Sequence, residues 1–408
     1  MYKRIEKCRI CGNTELVQVL DLGTQALTGV FPRSRSQQVS SGPLRLVKCT
    51  GEGVCNLVQL EHTYDPGEMY GHNYGYRSGL NPSMVAHLRG RVERLLASVP
   101  IRPGAVVIDI GSNDSTTLQA YPKDLTLIGV DPTGVKFHSF YPPHIKLIAE
   151  FFPSAGLKQH LGGRKATIIT SFSMLYDLDD PLRFVRDVAE HLDEEGLWAC
   201  EQSYMPTMLA RNSYDTVCHE HVEYYGLRQI KWLTDAADLK LIDVEFNEVN
   251  GGSFCFTAAR RQSQRAPSAT VVEVLKKEKE MALDSLRPYQ EFALRVAQSR
   301  TQLREFLERA RREGKVVNGL GASTKGNVIL QYCNVTAADM PQIGEVNEDK
   351  FGCFTPGSLI PIVSEAQILE SKPDYLLVLP WHFRAFFRGQ EKLSRSRLVF
   401  PLPVIEVT

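Results

Sequence analysis

The stretch TVCHEHVEYYG, residues 216–226, places His219, Glu220, His221, Glu223, Tyr224 and Tyr225 within seven consecutive positions. Such a density of proton carriers suits acid–base work near neutral pH, where histidine is the usual base. A zinc protease spaces its histidines as H-E-x-x-H, so that both lie on one helix face. Here only Glu220 separates His219 from His221, which excludes that pattern. In an extended segment the two imidazoles point one way and Glu220 the other.

A second chemistry-bearing set lies at the start of the chain. Cys8 and Cys11 form CRIC, followed by Gly12, and Cys49 and Cys55 form a wider pair in KCTGEGVC. Two such pairs a few dozen residues apart fit a tetrahedral four-cysteine zinc site. Four thiolates leave no open position for water or substrate, so the predicted metal is structural. A small domain with few apolar residues needs such a staple.

These groups need a scaffold. The 408 residues exceed one ordinary core and predict two or three domains. Formal net charge is zero, which excludes a general pull toward nucleic acid or anionic membrane. No apolar run approaches the ~18–20 residues that span a bilayer. MYKRIEKC has no apolar leader stretch, so the expected location is cytoplasmic, where disulfides are rare. Nothing marks an oligomer interface, and either a monomer or a homodimer is expected.

The middle of the chain alternates strands and helices. AVVIDIGSND, LTLIGVDPT, IKLIAE, TIITSFSM and GLWACEQSY read as five strands, with PLRFVRDVAEHL as a helix among them. That order predicts a doubly wound parallel sheet with ligands at the carboxyl ends of its strands. KLIDVEFNEVNG and GSFCFTAAR, joined by a short glycine loop, predict a closing antiparallel hairpin. A nicotinamide enzyme would show G-x-G-x-x-G in the first turn. This turn is D-I-G-S-N-D, which suits a cofactor without a phosphate. Asp109 and Gly111, Ser112, Asn113 and Asp114 can receive the amino-acid tail of S-adenosylmethionine, and Asp131 can accept its ribose hydroxyls.

The C-terminal third opens with charged helical periodicity from about 268 to 313, divided near Pro288 and read as a solvated linking pair. KVVNGLGASTKGNVILQ then predicts strand, glycine turn and helix. Gly321 to Gly326 has phosphate-loop spacing, but Asn327 stands where a Walker lysine belongs. The loop is therefore no ATPase loop, although its amides and Lys325 could cradle a pyrophosphate. His382 follows a predicted strand in PDYLLVLPWHF; Glu345 ends another, with Asn347 just beyond.

CRIC, CNLVQL, YGYRSGLN, VIDIGSND, CHEHVEYY, GASTKGNVILQ, TPGSLIPIVSE and PDYLLVLPWHF together carry a specific resemblance. Over nearly its whole length the chain resembles the S-adenosylmethionine-dependent C-methyltransferases of nucleotide-linked 4-keto-deoxyhexoses. The resemblance implies an α/β protein of three parts: a four-cysteine zinc-binding domain (1–75), a class I methyltransferase Rossmann-like domain (76–262), and a helical linker with a second Rossmann-like domain that binds the nucleotide sugar (263–408). It implies methyl transfer to C3 of a sugar carried on TDP rather than another nucleotide, in deoxysugar and natural-product biosynthesis. It adds Pro132, Phe172 and Ser173 to the cofactor set. For the sugar nucleotide it implies Tyr74, Tyr76, Arg77, Asn81, Gly321, Ser323, Lys325, Asn327, Glu345, Asn347 and His382. Three positions depart from relatives: Ser115 for a glycine, Cys218 for a tyrosine and Asp177 for a histidine.

That reaction gives the opening cluster its purpose. A C4 ketone acidifies the C3–H, since the charge left behind spreads onto oxygen. A base must take the proton, and donors must meet the enolate oxygen. His221 is the expected base with Glu220 its orienting or alternate partner. His219, Tyr224, Tyr74 and Tyr76 are expected donors or sugar contacts. An O- or N-methyltransferase of the same fold is the alternative, and a zinc-ribbon binding protein with an inactive enzyme domain a more distant one. The neutral charge and lack of an aromatic–basic stripe argue against the latter.

Overall fold

The computed structural model describes residues 2–65, 67 and 77–408. Tyr74 and Tyr76 lie outside the described residues.

The first part is antiparallel. Strands β1 (Tyr2–Arg4), β2 (Leu16–Ala26), β3 (Ser41–Cys49), β4 (Val58–Leu60) and β5 (His62–Tyr64) precede the parallel sheet. β1 pairs with β5, and β2, β3 and β4 run in sequence as a sheet. Its open edge is closed from a distance, because residues 223–224 pair antiparallel with β4, Glu223 opposite Gln59. The segment rich in proton carriers is thus sewn to the cysteine-bearing domain.

The middle sheet is built from β6 (Val106–Ile110), β7 (Thr126–Val130), β8 (Ile145–Ile148), β9 (Ala166–Phe172) and β10 (Leu192–Ser203). β11 (Glu223–Tyr224) leaves it for the neighbouring sheet, and β12 (Leu239–Asn247) and β13 (Ser253–Arg260) complete it. The order is β12-β13-β10-β9-β6-β7-β8. β6 to β10 pair parallel and β13 enters antiparallel between β10 and β12, as the hairpin signal predicts. β6 reads VVIDI and is buried throughout, as expected where helices cover both sheet faces.

Helices Ala269–Glu280 and Arg287–Arg312 follow, with Pro288 in the first turn of the second. Here the structure corrects the solvated reading. Tyr289, Phe292, Val296, Leu303, Phe306 and Leu307 are buried at helical spacing and join a core shared with the first and last sheets. The dense charges occupy only the outer face, so composition alone understated the buried stripe.

The final sheet holds β14 (Val317–Leu320), β15 (Ile343–Glu345), β16 (Ile362–Ser364), β17 (Tyr375–Val378), β18 (Arg397–Phe400) and β19 (Glu406–Val407). Its order is β16-β15-β14-β17-β18-β19, parallel except for β19. Among the described residues, no helix is long and apolar enough to cross a membrane.

Candidate active site and metal centre

The metal ligands come from two turns. Gly12 at φ +72° lets the chain fold back after CRIC, where the Gly12 amide donates to the Cys8 carbonyl (2.9 Å). Cys49 ends β3, and Cys55 precedes β4. The four sulfurs lie within 4.8 Å of one another, with Cys8–Cys55 at 3.4 Å and Cys11–Cys49 at 3.6 Å. A tetrahedron with Zn–S of ~2.3 Å has edges of ~3.8 Å, so the set fits zinc. Asn13 Nδ2 donates to Cys49 Sγ (3.3 Å). Hydrogen bonding to Cys55 draws the Cys49 thiol down to about 4 and the Cys11 thiol to about 6, while the same neighbours push Cys55 up.

At the carboxyl ends of β6, β7 and β9 lies a cavity of about 410 Å³. Asp109, Gly111, Ser112, Asn113, Asp131, Pro132, Phe172 and Ser173 all line it. The first turn is tight: Gly111, Asn113 and Ser115 have φ of +74°, +50° and +63°. Asn113 N donates to Asp131 Oδ2 (2.7 Å), and Thr133 donates to Oδ1 through its amide and hydroxyl, both at 2.7 Å. Asp131 therefore ties the first turn to the second. Burial pushes the Asp109 carboxyl up to about 7 despite its bond from Thr170.

Asp114 does not line the cavity. It accepts from Gly79 N (2.9 Å) and faces Arg77 Nε (3.4 Å), whose guanidinium stacks over Phe140 at 4.1 Å. Arg77 thus clasps the turn after β6, and Asn81 caps helix Pro82–Ser98 by accepting from Ser83 N (3.0 Å). Sequence reasoning missed Thr63, Met84, Phe151, Asp179 and Val222, which also line the cavity. They come from five separate segments, and no local motif announces them.

Val222 matters because it follows His221. Residues 218–221 turn, with His221 N donating to the Cys218 carbonyl (3.2 Å). The expected extended alternation is therefore replaced by a bend, and the two imidazoles enter different surroundings. His219 is buried against Tyr64, ring centroids 4.6 Å apart, with Nε2 3.4 Å from the Gly42 carbonyl. Burial lowers it to about 4. His221 is half-buried, edge-on to Tyr176 at 4.5 Å, and Nδ1–H donates to the Thr216 carbonyl (3.0 Å). A carbonyl can only accept, so this bond sets the tautomer and leaves the Nε2 lone pair available. Burial, then the Lys325 charge, lowers His221 to about 4. It is neutral at pH 7.

Glu220 turns toward the first domain, where Thr28 Oγ1 donates to Oε2 (3.5 Å). Burial raises its carboxyl above the usual range. Tyr224 is buried, and its hydroxyl has no well-formed hydrogen bond among the described residues. Cys218 is buried, with burial raising its thiol.

The last domain meets the residues around the proton-carrying segment and supplies none of the residues that line the cavity. Ser323 Oγ caps helix Thr324–Tyr332 by accepting from Gly326 N (3.0 Å). Asn327 Nδ2 donates to the Thr28 carbonyl (2.8 Å), joining this helix to the loop that meets Glu220. Gly321 has φ +81°, and a Cβ there would lie 2.7 Å from Pro380. Lys325 Nζ donates to the Asn250 carbonyl (2.7 Å) at the tip of the β12–β13 hairpin. Its charge also helps lower His382, which burial takes to about 3. Trp381 Nε1 donates to buried Asp215 (2.9 Å). By contrast, Glu345 is occupied with its own turn, accepting from Val346 N (2.7 Å) and Asn347 N (3.0 Å). Asn347 caps the next turn at Asp349 N (3.1 Å).

Three family models match successive parts of the chain: a putative zinc binding domain over 8–70, a methyltransferase domain over 84–244, and a C-methyltransferase C-terminal domain over 248–403. A curated relative, C-methyltransferase NovU of Streptomyces niveus, is 28% identical over 410 residues, covering 98% of this chain and 96% of the relative. Among solved structures, YcgJ of Bacillus subtilis aligns at TM-score 0.34 and 15% identity, over 44% of this chain and 100% of that one. Magnesium protoporphyrin IX methyltransferase of Synechocystis with bound S-adenosylmethionine aligns at 0.34 and 11%, over 43% and 79%.

Proposed function

Because the chain belongs to the S-adenosylmethionine-dependent C-methyltransferases that carry a zinc-binding N-terminal domain, we propose that its acceptor is C3 of a nucleotide-linked 4-keto-deoxy sugar. TDP is the favoured nucleotide. The observation that carries this reading is His221: neutral, with Nδ1–H held by the Thr216 carbonyl and Nε2 available, one residue from the cavity wall at Val222. A base of this kind is required for carbon methylation, because a carbon acceptor must first lose its proton.

The cavity is the donor site in this reading. Asp109 and the Gly111–Asn113 turn hold the amino-acid tail, and Asp131 the ribose. Bound there, S-adenosylmethionine supplies an electrophilic methyl group on a sulfonium. His221 Nε2 takes the C3 proton, and the electron pair left on carbon delocalises onto the C4 oxygen. Tyr224, whose buried hydroxyl lacks a good partner, is the donor for that oxygen. Glu220, whose carboxyl burial raises above the usual range, is the orienting or alternate partner of His221. Methyl transfer to the enolate carbon would form the C–C bond and break the donor's S–CH3 bond, leaving S-adenosylhomocysteine, with the C3 proton already on His221. Lys325 and the first amides of helix Thr324–Tyr332 receive the pyrophosphate, with His382 alongside. In this division residues 1–75 brace the site through the metal, 76–262 hold the donor and 263–408 hold the nucleotide sugar. The five cysteines outside the metal cluster, none in a disulfide, suit a reducing, cytoplasmic setting.

The test is a product mass screen with S-adenosylmethionine and a panel of TDP- and UDP-linked 4-keto-deoxy sugars. A methylated keto-sugar with the new carbon bonded to C3 is expected. Methylation on a sugar oxygen, or of none of the keto-sugars, would overturn the reading.

A further inference from the structure

Arg9 stands between two of the metal thiols, and its side chain is only 3% exposed. Nη1 donates to the Leu60 carbonyl (2.7 Å) and to Gln59 Oε1 (3.3 Å). Nη2 donates to Thr63 Oγ1 (2.8 Å) and to the His62 carbonyl (3.3 Å). Nε faces Asp179 at 3.5 Å, and Thr63 Oγ1 also donates to Asp179 (2.8 Å). Thr63, in β5, and Asp179, between β9 and β10, both line the 410 Å³ cavity. Gln59 lies opposite Glu223 in the β4–β11 ladder, two residues beyond His221. One buried guanidinium rooted in the metal loop therefore reaches the cavity wall and the strand that anchors the proton-carrying segment. Burying a cation is costly unless every donor is placed, and only the planar fork of arginine reaches all of these acceptors. A metal that merely stapled a small domain would need none of these contacts.

We propose that Arg9 is a positioning residue that couples the metal loop to the donor cavity. The zinc-held turn sets the place of Arg9, and Arg9 sets the place of Thr63 and Asp179. By reciprocity of linkage, a ligand in the cavity then tightens metal binding by the same factor. This rests on the assignment of the cavity to the donor.

The experiment uses the full zinc-loaded chain and S-adenosylhomocysteine as probe. Arg9→Gln is expected to keep one zinc per chain and an unchanged tetrathiolate spectrum after cobalt substitution. Its calorimetric Kd for S-adenosylhomocysteine is expected to rise about 5-fold or more, the usual lower range of coupling between sites. Thr63→Val is expected to raise Kd too, with the double variant no weaker than Arg9→Gln. The probe should lower the share of zinc held by a competing chelator at equilibrium in the wild type and not in Arg9→Gln. A metal-replete Arg9→Gln chain with Kd within about twofold of wild type would overturn the coupling. If Arg9→Gln sheds zinc, Arg9→Lys replaces it, with the same two outcomes. Asp131→Ala separates the premise from the proposal. Weakened binding there with none in the Arg9 variant refutes the coupling alone; unchanged binding in both refutes the cavity assignment and the coupling with it.

Discussion

Replacing His221 with alanine tests the proposed chemistry at its first step. The variant removes an imidazole whose Nδ1–H is held by the Thr216 carbonyl, one residue before the cavity-lining Val222. Loss of a positioned general base costs about 10²–10⁴-fold, or roughly 2.7–5.5 kcal/mol of barrier. The assay is exchange of the C3 hydrogen with deuterated water in the presence of S-adenosylhomocysteine, which isolates deprotonation from methyl transfer. The pH profile sharpens it. Burial and the Lys325 charge lower His221 from 6.5 to about 4, so the base form prevails above that value. The acid limb of kcat/KM, which reports free enzyme, should therefore fall through about 4 rather than 6.5. A bound pyrophosphate offsets the Lys325 charge and raises the pKa of His221, so the limb of kcat should lie higher. In Lys325→Met both limbs should move upward, since a nearby cation that disfavours imidazolium is gone. Exchange in His221→Ala within about 10-fold of wild type would refute the reasoning, as would an acid limb in kcat/KM that stays at 6.5.

Three further outcomes are expected. Cys11→Ser should lose zinc to a chelator more readily than the about 10-fold that removal of an outer-shell partner costs; retention equal to wild type by elemental analysis would show that Cys11 is no ligand. Asp131→Ala should weaken S-adenosylmethionine binding by about 1–3 kcal/mol, through a lost charged acceptor. The loss should exceed that of Asp131→Asn, which keeps one oxygen for the Asn113 or Thr133 amide; equal calorimetric affinities would count against the assignment. Ser115 sits at φ +63° and bonds Phe140 O and Gln119, each at 2.9 Å. Ser115→Ala keeps the strain and loses both bonds, whereas Ser115→Gly loses the bonds and about 1 kcal/mol of strain. Glycine should therefore be the more stable of the two in denaturant melts, and the reverse order would show that the turn is unstrained.

Local patterns were enough for much of this molecule. The run VVIDI, buried on both faces, and the glycine loop before GSFCFTAAR specify a parallel strand and a closing hairpin, because side-chain period and turn chemistry act over a few residues. CRIC and the KCTGEGVC pair announced a four-thiol cluster for the same reason: ligand spacing within a turn is a local property. The eight residues expected to hold the cofactor that line the cavity lie at the carboxyl ends of β6, β7 and β9 or in the turns just after them, where an α/β sheet opens by construction. What only the tertiary structure decided is how distant pieces meet. Glu223–Tyr224 reads as part of one segment, yet it completes the sheet of another domain, since an open strand edge accepts any partner the fold brings near. His219 and His221 look equivalent in sequence. A single bend at Cys218–His221 buries one against Tyr64 and sets the other beside Lys325, from a domain a hundred residues away. Arg9 looks like a surface charge in a metal knuckle and is instead a buried tie to Thr63 and Asp179. Burial and long-range charge set a group's proton affinity and its partners, and both depend on which remote segments pack around it.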